Sequence, residues 1–157
     1  MCSSDLDFDV AAHFPRSKLA AFSLADGSLA SWAPNASNSV WAITVANDAI
    51  FIGGPFRGVA GAARPFLAAL DSNGNVLPWN PSPNGTVRSI VVRDELAYFA
   101  GYFLNVGGLP RPFVAAADAD GNLAPWGQRF DSPIFALAAS GETLADRKST
   151  RLNSSHQ

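Results

Sequence analysis

RPFLAALDSNGNVLPWNPSPNGTVRSIVVRDELAYFAGYFLNVGGLP, residues Arg64 to Pro110, is one complete copy of a repeat, and the chain on either side restates it. Trp32, Trp79 and Trp126 stand 47 residues apart, as do Gly27, Gly74 and Gly121, and also Val40, Val87 and Ile134. Phe56 and Phe103 keep the same step. A fixed period of this length marks supersecondary units that bury their faces against one another. The copies run over about residues 16–63, 64–110 and 111–145, the first carrying one extra residue ahead of Asp26-Gly27.

Inside the quoted copy, Phe66 to Leu70 and Val76 to Trp79 flank Asn73-Gly74, the strongest two-residue hairpin signal in the chain. Val87 to Val92 and Leu96 to Ala100 then flank Arg93-Asp94. The first copy places Asp26-Gly27 and Asn47-Asp48 at the matching turns, and the third leads through Asp120-Gly121 to a hairpin over Ile134 to Leu144. Pro78, Pro81 and Pro83 punctuate an outer strand and the loop after it, where a missing N–H does little harm. No segment holds a helical period. Four short strands in roughly 40–50 residues is the size of a propeller blade, and a closed ring needs about four to eight of them. The expected fold is therefore all-β, with about three four-stranded antiparallel β-propeller blades of a 47-residue repeat in an incomplete ring. A β-solenoid is the alternative, but its repeats are usually shorter and lack paired hairpins.

GGPFRGVAGAARPFLAALDSNGNVLPWNP, from Gly53, and AGYFLNVGGLPRPFVAAADADGNLAPW, from Ala100, resemble the delta-60 repeats of bacterial β-propeller proteins, which are related in pattern to kelch blades. Glycine, phenylalanine, arginine, an Asp/Asn-Gly turn and tryptophan recur in one order, and the resemblance spans about Pro15 to Leu144. It implies a secreted or cell-envelope protein and no single activity.

The two ends stand apart from this pattern. Asp146 to His156 reads DRKSTRLNSSH, which resembles a translated sequencing-library adapter, and MCSSDL at Met1 to Leu6 resembles the translation of its reverse complement. Residues 1–6 and 146–157 are expected to be adapter-like artefact, the latter disordered, with 7–145 a partial propeller truncated on both sides. Setting the ends aside removes Asp5, Asp146, Arg147, Lys148 and Arg151, and leaves 8 basic and 11 acidic residues. No basic patch speaks for nucleic acid. The only cysteine, Cys2, lies in the excluded end, so disulfides and Cys-type metal sites drop out. No apolar run approaches the roughly 20 residues of a membrane span, so no membrane insertion is expected.

The polar motifs read as structure before chemistry. Tryptophan at one position of every copy argues for packing between units rather than a carbohydrate platform. Asp71, Asn73 and Asn75, like Asp118, Asp120 and Asn122, resemble the start of a calcium loop but lack the distant bidentate Glu and the flanking helices. Tight turns alone explain them. Arg64 and Arg111 are expected to brace a neighbouring loop. Asp94-Glu95 is an adjacent pair, and neighbours on a strand face opposite sides, so it makes a poor acid–base dyad. His13, the only histidine outside the excluded ends, has no ligand set or nucleophile beside it. No catalytic residue, metal ligand or cofactor site is assigned.

Variation concentrates instead in the loops Pro55 to Ala62 and Tyr102 to Leu109, and loops on a rigid scaffold are where binding groups sit. Arg57, Tyr102 and Asn105 are the candidate contacts. The expected function is a non-catalytic binding or scaffold propeller segment of a larger secreted or surface protein, with an unknown protein or glycan ligand. The rival expectation is part of a kelch-like sugar or alcohol oxidase whose catalytic residues lie in missing blades.

Overall fold

The computed structural model describes residues 10, 11, 14, 15, 18–21, 24–28, 30–125, 130–140, 143–147 and 152–154. His13, Arg16, Trp126 and the first six residues, all weighed in the sequence, lie outside that set. The described residues form strands joined by turns, with no helix among them. In chain order these are β1 (Val10–Ala11), β2 (Phe14–Pro15), β3 (Ala42–Ala46), β4 (Ala49–Gly53), β5 (Gly58–Val59), β6 (Ala62–Ala63), β7 (Leu67–Leu70) and β8 (Val87–Arg93). They continue as β9 (Leu96–Gly101), β10 (Asn105–Val106), β11 (Leu109–Pro110), β12 (Val114–Ala117), β13 (Ala136–Ser140), β14 (Thr143–Arg147) and β15 (Leu152–Ser154).

Three antiparallel sheets carry the structure, in the orders β3-β4-β7, β8-β9-β12 and β13-β14-β15. The first two are sisters. β7 and β12 are buried along their whole length, LAAL and VAAA, because small and branched side chains let sheets pack on both faces. β5-β6 and β10-β11 are two-residue hairpins inside the connections that follow β4 and β9.

The structure departs from the sequence reading in four places. First, residues 64–110 are not one sheet, because β7 closes the sheet begun by β3 whereas β8 and β9 open the next. Second, the fourth strand of each of the first two sheets shrinks to a single bridge, Leu70 to Val76 and Ala117 to Leu123. The Leu77 and Ala124 N–H groups still reach Ala69 and Ala116, but Pro78 and Pro125 follow and have no N–H to continue the ladder.

Third, the turns differ in kind. Asn73-Gly74 is not a two-residue loop. Asp71 N–H donates to Asn75 O and Gly74 N–H to Asp71 O, with Gly74 at φ 87°, which is a three-residue loop with its glycine left-handed. Asn47-Asp48 (φ 52° and 61°) and Asp94-Glu95 (φ 50° and 65°) are two-residue turns, left-handed at both positions without any glycine. Asp94 and Glu95 are thus turn residues, one position later than Arg93-Asp94, because Arg93 still pairs with Leu96. Fourth, β14 reaches Arg147 and pairs with β15 at Leu152–Ser154, so the third sheet runs past the hairpin expected over Ile134 to Leu144. An edge strand with unpaired backbone groups takes up such a segment readily.

Trp79 closes the core between the first two sheets. Its ring meets Phe51 edge-on at 5.0 Å and Phe99 at 6.5 Å, and its N–H donates to Asp118 O at 2.8 Å. Trp32 does the same one unit earlier, donating to Asp71 O at 3.4 Å. Both tryptophans are buried, which answers the carbohydrate-platform question for these two: the rings are core. β8 is flanked by β3 and β13, where Thr44 Oγ1 donates to Ile90 O and Leu137 N–H donates to Ser89 Oγ.

Candidate functional site

The antiparallel order fixes two ends. The turns at 47–48, 71–75, 94–95 and 118–122 share one end, and the long connections 54–66 and 101–113 share the other. Arg57, Tyr102 and Asn105 all belong to the connection end.

Both connections are anchored by the same bonds. In the first, Ser37 Oγ accepts the N–H groups of Arg57 and Gly58, and Ser37 N–H donates to Gly58 O. In the second, Asn84 Oδ1 accepts those of Leu104 and Asn105, and Asn84 N–H donates to Asn105 O. Phe66 and Phe113 sit left-handed at φ 71° and 72°, held because each donates to Phe56 O or Phe103 O and accepts from Gly54 or Gly101. Arg64 and Arg111 brace the base through the carbonyls of Ala63 and Pro110 at 3.0 and 2.9 Å, not through carboxylates.

What points outward differs. Arg57 is exposed and lies over the Phe66 ring at 4.7 Å. Tyr102, 45% exposed, leans on Phe135 at 5.7 Å, and Asn105 is exposed with its backbone tied to Asn84. Among the described residues no hydrogen bond or ring contact joins any two of these three, so they form a rim and not one cluster.

The structure adds a set that the sequence reading missed. Trp41, Arg88 and Phe135 follow one another at the 47-residue step. The Arg88 guanidinium lies 4.8 Å from the Trp41 ring and 5.8 Å from the Phe135 ring. Tyr102 extends the row through Phe135. The signal was present as a position that changes from Trp to Arg to Phe beside the uniformly β-branched Val40, Val87 and Ile134.

At the turn end a cleft of about 490 Å³ opens between the first two sheets, floored by Phe51, Trp79 and alanines and edged by Asn47, Glu95 and Asp118. Asp118 Oδ1 is already committed to the N–H groups of Asp120 and Asn122. Its counterpart Asp71 accepts from Asn73 and Asn75 in the same way, and its carboxyl is held below the ordinary 3.8 by the backbone N–H of Asn75 first, then by that residue's side chain. These carboxylates cap turns. Among the described residues no group of three His, Cys, Asp or Glu side chains gathers as a metal site, and no helix is long and apolar enough to cross a membrane.

No protein-family model matches the chain, and no curated protein matches it either.

Proposed function

We propose that this chain is a segment of a delta-60-type, kelch-like β-propeller that serves as a non-catalytic binding scaffold in a secreted or surface protein. On this reading the sheets β3-β4-β7 and β8-β9-β12 are successive blades, and β13-β14-β15 belongs to a third. The observation that carries it is the pair of connections. One set of bonds, Ser37 or Asn84 to the loop amides, recurs at a 47-residue step while the outward side chains change. Constant anchoring with variable display is how a rigid scaffold presents binding groups. The polar side chains that would otherwise draw a catalytic reading, Asp71, Asp118, Arg64 and Arg111, are occupied in holding turns and loops.

The test is to read the open reading frame outward in the source DNA. Further 47-residue copies behind a signal peptide are the expected result, with the adapter-like ends gone. A frame that encodes both ends as they stand, with a stop after Gln157, would count against the propeller.

A further inference from the structure

Arg88 sits where the register between β8 and β9 slips, between the pairs Val87–Gly101 and Ser89–Ala100. It is the extra residue of a β-bulge, a device that re-aims a side chain out of the regular pleat. The re-aimed guanidinium meets Trp41 and Phe135, which precede the two strands flanking β8. Its Nε is buried with no acceptor, and among the described residues no carboxylate pairs with it. A partly desolvated cation without a counter-charge is unfavourable as it stands. With rings against it from both neighbouring strands, the edge of the fork is what remains for bonding, and a carboxylate is the group that fork fits.

Apolar surface lies on the second connection, where Tyr102 is 45%, Leu104 54% and Leu109 50% exposed. Tyr102 joins it to the cation, since its ring leans on Phe135, one of the two rings against Arg88. The same positions of the first connection hold Pro55, Arg57 and Ala62. Leucines and a phenol give up water readily but offer a sugar few hydrogen bonds.

We infer that this end of the second connection docks an extended peptide, which sets a carboxylate on Arg88 and an adjacent apolar side chain on Tyr102 and Leu104. The inference rests on the binding-scaffold reading above.

The experiment pans a random decapeptide library against the whole 157-residue chain, then measures affinity of the enriched peptides by fluorescence anisotropy. Hexagalacturonate serves as the acidic-glycan probe. Enriched peptides are expected to carry Asp or Glu next to an apolar residue. Arg88→Gln, with its melting temperature checked, weakens them about tenfold or more, and Arg88→Lys restores only part of that because lysine lacks the planar fork. Leu104→Arg, on an exposed site that tolerates change, gives a second loss. Peptides that bind Arg88→Gln and Leu104→Arg as tightly as the parent overturn the docking site while leaving the scaffold reading intact. Hexagalacturonate binding in place of peptides overturns the peptide as occupant. No enrichment and no glycan binding overturns both.

Discussion

The connections 54–66 and 101–113 are built alike and display unlike surfaces. Each leaves a sheet through a glycine, forms a two-residue hairpin, returns through a left-handed phenylalanine and rejoins the sheet as a buried strand. Inward, Phe56 and Phe103, and Val59 and Val106, are fully buried in both. Outward, Pro55, Arg57 and Ala62 in one stand against Tyr102, Leu104 and Leu109 in the other. Backbone bonds and core side chains set the loop's path, and the solvent-facing positions are free to vary.

The largest effect should come from breaking the glycine exits. A Cβ on Gly54 would lie 2.4 Å from Ser39 O, and one on Gly101 would lie 2.1 Å from Thr86 O. Both neighbours are backbone and cannot swing aside. Gly54→Ala and Gly101→Ala should each cost about 4 kcal/mol or more, or abolish cooperative folding, as read by urea denaturation. Next comes the tryptophan between the sheets. Trp79→Ala removes two ring contacts and the 2.8 Å bond to Asp118 O, and should cost about 3–5 kcal/mol. Trp32→Phe, which keeps an aromatic ring in the core and gives up a 3.4 Å bond and part of the buried indole, should cost less.

Smaller changes separate the two loops. Ser37→Ala and Asn84→Ala each remove the acceptor of two amides, and each should cost about 1–2 kcal/mol. The turn carboxylates respond to pH. Asp71 has its carboxyl depressed below 3.8 when folded, so its contribution is complete above that value and is lost as pH falls through the lower folded value. Asp71→Asn should therefore be less stable than the parent near neutral pH and indistinguishable from it in strong acid. The smallest stability effect belongs to the outward positions. Leu104→Arg, which copies Arg57, should change stability by only about 0.5 kcal/mol or less.

Much of this could be read from the sequence. The all-β class followed from β-branched runs between turn residues and the absence of helical period. The buried role of Trp32 and Trp79 followed from their repetition. Less legible was where one sheet ends, because a period gives the length of a unit but not its starting point. The chain's own punctuation, Pro81 and Pro83 between Trp79 and Val87, marked the crossing. The turn at Asp94-Glu95 was hidden because neither residue is glycine, yet both adopt positive φ. The Arg88 row was not legible because its position changes residue in every copy. Two of its members, Trp41 and Phe135, are aromatic and the middle one is a cation, and only the packing of β8 between β3 and β13 brings them together.

Amide hydrogen exchange in the folded chain tests the central comparison most directly. The amides of Arg57 and Gly58, and those of Leu104 and Asn105, should be protected to a similar degree. Ser37→Ala should release only the first pair and Asn84→Ala only the second. If either pair exchanges freely in the parent chain, or if one substitution releases both, the two loops are not held by the same independent device.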